Sequence, residues 1–437
     1  MEEHAARIVK EAVKQGAKDA VAEITVDRSY QVRFARNQPV IVNQWRRSVG
    51  SVFLAVGKHL VAGEIANFDR IPETVAKLLK AARATPENPD YAGLAKGPFK
   101  YARPSVDRKV LAIDDGSEYV EAAVNGAVEE GAKECAGSFW RYNEDHFMET
   151  SNGASGRDQR AGLYLSIRAL LSLESSGHGV ACATKVSEFD PERAGHKAGR
   201  IAALAKNPKG GTPGKYDIVF DPLILGSLID QVGGRASAYS VLAGLSPFLK
   251  KLGKTVAAPS VTITDDATTD SLGRRRFDAE GVPARKKAIV QNGVLKTYLH
   301  NTSTAKKFKT RTTGNAGLVA PEPFVLSLKP GDWTRDEMFN EVKDGLWLTN
   351  TWYTRYQSYV TGDFSTIPRD GIFRIKKGEV VEAWKDVRLT DNLINVWKSV
   401  KGISKKPEQV TWWGEVGVPT FAPYALASKI GITKSAM

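Results

Sequence analysis

Residues 206–215 read KNPKGGTPGK, and they divide the chain. Two prolines and three glycines cannot continue the amphipathic pattern of residues 191–206, which predicts a helix up to this point. Residues 216–220 (YDIVF) then begin an apolar strand. The break separates a domain over residues 1–205 from a second over 216–437, with 206–215 as the linker. A chain of 437 residues is long enough for two such cores.

Working back from the linker, residues 1–20 (MEEHAARIVKEAVKQGAKDA) are charged and amphipathic, which predicts a first helix rather than a signal peptide. Residues 22–34 (AEITVDRSYQVRF) alternate like a half-buried strand, 39–43 and 48–56 continue as strands, and 73–83 return to helix. Residues 84–107 are rich in Pro, Gly and polar groups and read as a long connection. A helix near 117–134 and strands near 138–150 and 163–173 complete the first half. Forward of the linker, Asp-Ala-Glu-Gly, Gln-Asn-Gly and Lys-Lys-Gly turns separate short alternating segments. The fold class is therefore α+β: a mixed N-terminal domain with antiparallel strands and a strand-rich C-terminal domain. No internal repeat, heptad or low-complexity tract is present.

With 42% hydrophobic and 25% charged residues, the composition is that of a globular protein. No apolar run approaches the roughly 18 residues that span a bilayer, so no membrane partner is expected and the cytoplasm is the expected location. Cys135 and Cys182 lie far apart and outside any CxxC, which excludes a disulfide framework and a cysteine-rich zinc site. The formal charge of +13 is uneven. Residues 270–311 hold eleven Lys or Arg, among them Arg274, Arg275 and Arg276, against Asp270, Asp278 and Glu280. Such a segment can attract nucleic acid, acidic peptides or an acidic subunit, or it is a solvated face.

The chemistry-bearing residues are sparse. All six histidines stand singly, without the clustering a zinc site needs. Residues 209–216 (KGGTPGKY) approach a phosphate loop but place Tyr216 where a magnesium-binding Ser or Thr belongs. Asp265, Asp266 and Asp270 could hold a hard cation or simply end a strand in a turn. In residues 346–359 (LWLTNTWYTRYQSY), Trp352, Thr354 and Tyr356 share one strand face, with Tyr353 and Arg355 on the other. That surface suits base stacking or a sheet core with an amphipathic rim. Residues 225–238 (LGSLIDQVGGRASA) have a helical apolar period interrupted by Gly233 and Gly234, with Asp230, Gln231 and Arg235 as the polar groups.

Several segments in order carry a resemblance. They are 277–308 (FDAEGVPARKKAIVQNGVLKTYLHNTSTAKKF), 361–365 (TGDFS) with the hairpin 371–379, 392–400 (NLINVWKSV), 414–419 (GEVGVP), and earlier 26–34 and 149–168. Together they resemble the TldD/PmbA family, also called modulators of DNA gyrase, over nearly the whole chain. The resemblance implies that, in the TldD branch, the helix after the linker carries His-Glu-x-x-x-His and a later Cys completes a zinc site. Glycine before the second His would let that helix deform so that both imidazoles reach one ion. Here the first His matches Asp230, the Glu matches Gln231 and the second His matches Arg235, while residues 409–418 (QVTWWGEVGV) contain no thiol.

The chain thus resembles the PmbA/TldE branch, with no catalytic residue and no metal or cofactor expected of its own. What the resemblance implies is a non-catalytic subunit of a zinc metalloprotease complex, heterodimeric with a zinc-bearing TldD-like chain, or a homodimer in isolation. Short or unfolded peptides would be cleaved in an inner chamber. Arg274, Arg275, Arg276, Trp352, Arg355 and Asp363 are the candidates for the chamber wall or partner surface. A basic nucleic-acid-associated protein is the alternative, and an independent metal enzyme using Asp265, Asp266 or Asp363 is a third.

Overall fold

A computed structural model describes residues 1–435. The amphipathic start forms α1 (Glu2–Lys14), followed by β1 (Asp19–Asp27), β2 (Tyr30–Ala35), β3 (Gln38–Gln44), β4 (Arg47–Val56), β5 (His59–Ile65) and α2 (Ile71–Ala84). After the long connection come the single turn α3 (Arg108–Leu111) and α4 (Ser117–Glu129). Then follow the long strands β6 (Glu134–Thr150) and β7 (Ser155–Ser172), β8 (Ser175–Ala183) and α5 (Pro191–Leu204). The strands form one antiparallel sheet in the order β3-β2-β6-β1-β4-β5, with β7 on β6 and β8 on β7. Ile8, Ala12, Ile24, Leu54 and Leu79 are buried between α1, α2 and the sheet. Val120, Ala123, Phe139, Ile167 and Ala198 do the same under α4 and α5. Gly195 is required there, because a Cβ on it would lie 2.0 Å from the Ala123 carbonyl oxygen of α4.

Strands β5 and β8 are passed over in the sequence reading. SSGHGVACA is built of small residues and glycine, so its alternation carries little hydrophobic contrast and only its pairing with β7 makes it a strand.

The linker itself holds the short β9 (Lys209–Gly210), and β10 (Gly214–Phe220) begins within it, two residues before the expected strand; α6 (Pro222–Arg235), α7 (Ala238–Leu242), β11 (Ile263–Asp266), β12 (Lys286–Gln291) and β13 (Val294–Leu295) follow. Next are α8 (Thr302–Lys307), β14 (Leu326–Leu328), α9 (Arg335–Glu341), β15 (Asp344–Ser358), β16 (Asp363–Lys376), β17 (Glu379–Lys385) and β18 (Val387–Asn392). α10 (Leu393–Lys398), β19 (Val400–Ile403), β20 (Glu408–Trp412), β21 (Val416–Ala422) and β22 (Ala425–Lys434) finish it. One sheet runs β15-β10-β22-β18-β16-β17-β9, with β19 on β22; a second runs β13-β12-β11-β14-β21-β20. Helix α6 is apolar nearly all round over its first two turns, so it is buried between the sheets among Phe220, Leu348, Val410, Val416 and Ile430. No helix is long and apolar enough to cross a membrane.

The two halves are joined by partly buried ion pairs. Lys197 of α5 reaches Asp221 at 2.7 Å and Glu408 at 3.2 Å, and Arg276 reaches Asp158 of β7 at 2.9 Å.

Candidate functional site

The polar end of α6 organises the candidate site. The helix runs unbroken through both glycines to Arg235, so they do not interrupt it as the sequence suggested. Gly233 is instead a close-approach residue: a Cβ there would meet Leu326 Cδ1 of β14 at 2.6 Å, whereas one on Gly234 would meet nothing within 4 Å. Asp230 accepts a 2.9 Å hydrogen bond from the Gly417 amide, tying the helix to the β20–β21 hairpin. Burial pushes its carboxyl up to about 6, against the amides of Gly417 and Val418 and the charge of Arg235, which favour ionisation. Arg235 donates from Nη1 to the Leu245 carbonyl at 3.0 Å. Its guanidinium also lies 5.2 and 4.9 Å from the ring centres of Tyr356 and Tyr359, which stack on each other. Gln231 sits half-buried on the same turn.

Two cavities flank the hairpin, and Gly417 lines both, so the Asp230 carboxylate stands behind their shared wall. The larger, about 830 Å³, is a groove between the halves walled by Trp140, Tyr142 and Tyr164 on one side and Trp352, Trp412 and Trp413 on the other. Val40 and Ile41 of the edge strand β3 are exposed at its rim. His178 and Ser166 also line it. The Asn350 amide donates to His178 Nδ1 at 2.9 Å, and its orientation is set by the Thr351 N–H bonding its oxygen at 2.7 Å. The imidazole proton is therefore on Nε2 and donates to Ser166 Oγ at 2.8 Å, opposite to the direction that activates a serine. Burial pushes His178 down to about 4, so it is neutral. Asp370, which accepts from Asn350, Ser176 and Arg168, completes a buried interdomain latch. Sequence reasoning missed this cluster because its members come from four strands, up to 204 positions apart, without a spacing that marks a site.

The smaller cavity, about 390 Å³, is lined by Glu144, Arg160, Arg274, Arg275 and Glu322 together with Gly417 and Val418. Glu144 bonds His146 Nε2 at 3.0 Å while Glu23 lies 3.4 Å from Nδ1. Burial disfavours the imidazolium, but the two carboxylates hold His146 above its ordinary pKa.

The sequence-derived candidates separate accordingly. Arg274 and Arg275 line the smaller cavity and Trp352 the larger. Arg276 does not line either: its side chain is bonded to Asp158 and to the Ala102 carbonyl. Arg355 lies 3.9 Å over the Tyr353 ring on the exposed strand face. Asp363 accepts from Thr361 Oγ1 at 2.5 Å and Asn392 Nδ2 at 2.9 Å, closing the turn before β16. Trp352, Thr354 and Tyr356 are half-buried and Tyr353 and Arg355 exposed, the two faces expected.

Asp265 is wholly buried and holds four donors, Lys287, Asn315 and the amides of Phe324 and Val325, within 2.9 Å. Those donors take up its oxygens as a structural anchor. Asp266 caps a turn by accepting from the Thr268 amide, and Asp270 pairs with Lys185. Of the basic residues in 270–311, Arg274, Arg276, Lys287 and Lys307 also face a carboxylate within 4.0 Å, and Arg275 has a loose 3.6 Å contact with Glu322.

The family model described as "PmbA/TldA metallopeptidase C-terminal domain" matches residues 213–434. A metalloprotease of Methanothermobacter thermautotrophicus is 36% identical over 219 residues, 48% of this chain and 46% of that protein. A zinc metalloprotease TldD homolog of Saccharolobus solfataricus is 26% identical over 207 residues, 45% of this chain and 46% of the other. The chain spans about half the length of the curated relatives it matches. The whole fold is shared with a putative modulator of DNA gyrase from Thermotoga maritima (TM-score 0.84, 21% identity, 99% of this chain and 100% of that one). It is shared equally with TldE from Thermococcus kodakarensis (TM-score 0.83, 16% identity, 98% and 100%). The chain belongs to the PmbA/TldD family of metallopeptidase-like proteins.

Proposed function

We propose that this chain is the non-catalytic, TldE-like subunit of a cytoplasmic TldD/TldE-type metalloprotease. In this reading it pairs as a heterodimer with a zinc-bearing TldD-like chain, walls the chamber and supports the partner's site, where short or unfolded peptides are cleaved. The observation that carries the reading is the occupation of α6. Asp230, at the first ligand position, is bonded to the Gly417 amide, and Arg235, at the second, is stacked between tyrosines and a carbonyl.

These side chains do not fit a zinc ion. A guanidinium is a permanent cation, and a single carboxylate lacks the further nitrogen, sulfur or oxygen ligands that zinc takes. Gln231 cannot take a proton from water as a glutamate does. Among the described residues, no group of three His, Cys, Asp or Glu side chains is placed to share an ion. No step of hydrolysis is therefore assigned to this chain. The aromatic groove and the smaller charged cavity are the surfaces it offers a peptide, and the edge strand at the groove's rim suits an extended backbone.

The test is co-expression with a family member that carries His-Glu-x-x-x-His. The two should co-purify, and the pair should cleave peptides in a chelator-sensitive way. This chain alone should hold no stoichiometric zinc and cleave none. One tightly held zinc per chain, with chelator-sensitive peptidase activity in isolation, would overturn the proposal.

A further inference from the structure

The smaller cavity holds two guanidiniums without matched partners. Arg275 projects from the loop before β12, with its guanidinium 4.1 Å from the Phe324 ring centre and 3.6 Å from Glu322, too far to hydrogen-bond. Among the described residues its side chain makes no hydrogen bond, although it is only 30% exposed. Arg160 of β7 is 16% exposed and makes one long contact, Nε to Asp158 at 3.4 Å. The two face the same space from opposite domains, and burial together with the charge of Arg160 lowers the pKa of Arg275.

Of the other charged groups around the cavity, Glu23 and Glu144 share His146 between them, and their charges also act on Arg160 and Arg275. Arg274 donates to the Ser105 carbonyl and faces Asp270, and Glu322 makes only the 3.6 Å contact. The N–H groups that these two guanidiniums leave unbonded to the protein open onto the cavity, where a further anion can take them. A carboxylate is the anion whose two oxygens match the planar fork of each. The hydroxyls of Ser271, Thr184 and Thr411 and the apolar walls of Leu272, Phe324 and Val418 leave room for a short chain attached to it.

We propose that the cavity between Arg160 and Arg275 is a carboxylate-binding site that takes the free carboxyl group of a short peptide. That the carboxylate belongs to a peptide rests on the function proposed above; the anion site itself rests only on this chain's side chains. Glu322 is the competitor that occupies Arg275 loosely when the site is empty of ligand.

The experiment is calorimetric titration of the purified chain with three tripeptides: acetyl-Ala-Ala-Ala as the free acid, its C-terminal amide, and acetyl-Ala-Glu-Ala amide. The free acid should bind at least about tenfold tighter than the uncharged amide, the factor lost with one charge-assisted hydrogen-bond pair. Weak binding of the Glu peptide amide assigns the site to the peptide terminus; binding at the level of the free acid shows that it takes a peptide carboxylate of either kind. Either supports the carboxylate site. R160Q and R275Q should each weaken the free acid about tenfold or more, and E322Q should tighten it by freeing Arg275. The last is an outcome that loss of folding cannot produce, so it keeps the test decisive if an arginine variant is unstable.

Equal binding of all three peptides, no binding of any, or an E322Q that binds no tighter would overturn the inference. These outcomes are independent of zinc content and co-purification. The site can fail while the subunit reading stands, and the reverse.

Discussion

Asp230 offers the sharpest test of what α6 does. Its carboxyl is pushed by burial from 3.8 to about 6. Two pKa units correspond to at most about 3 kcal/mol, and partial exposure reduces this to about 1–3 kcal/mol. The folded state binds the proton more tightly than the unfolded chain. The cost of the charge is therefore absent below pH 4, grows as pH rises from 4 to 6, and is complete above 6. D230N removes the charge while its amide oxygen still accepts from the Gly417 N–H. The variant should be about 1–3 kcal/mol more stable than the parent at pH 7 and equal to it near pH 4. Urea unfolding followed by far-UV circular dichroism at pH 4, 5, 6 and 7 measures this, reading the difference between the two proteins at each pH so that other titrating groups cancel. A carboxylate that holds a metal, or anchors the hairpin by its charge, gives the opposite sign. D230N less stable at pH 7, or a difference that does not change with pH, would refute the reasoning.

Two further predictions follow from the packing. G234A should stabilise the chain by about 0.5–1 kcal/mol through helix propensity, since its Cβ enters open space, whereas G233A should be destabilising by about 1–2 kcal/mol because Leu326 must move; equal melting shifts would show that Gly233 is not a close-approach residue. R276M should cost about 2–3 kcal/mol in urea unfolding by leaving the 2%-exposed Asp158 with weaker partners, while R355A on the exposed face should stay within about 0.5 kcal/mol of the parent.

Local chemistry accounts for the parts of this molecule that were legible early. The alternation of 22–34 became β1 and β2, the amphipathic start became α1, and the Pro-Gly run at 206–215 ends the pattern of α5 before β10. Each depends on neighbours a few residues away, which is where periodicity and turn residues act. The candidates read from a line of residues fared unevenly. Arg274, Arg275 and Trp352 reach a cavity, while Arg276 and Asp363 are drawn into bonds with distant or turn partners that one-dimensional spacing cannot reveal.

The amino-acid sequence by itself determined that the polar end of α6 carries Asp230, Gln231 and Arg235, and no folding turns Arg235 into a metal ligand or Gln231 into a carboxylate base. It also determined the elements with a clear short-range period, such as α1, β1, β2 and α5. Only the tertiary structure decided what such positions do: Asp230 meets Gly417 across 187 positions, Arg160 and Arg275 face one cavity, and His178 takes its tautomer from Asn350 and its neutral charge from burial. Burial and partner geometry set charge and tautomer, and both arise when the sheets close on one another.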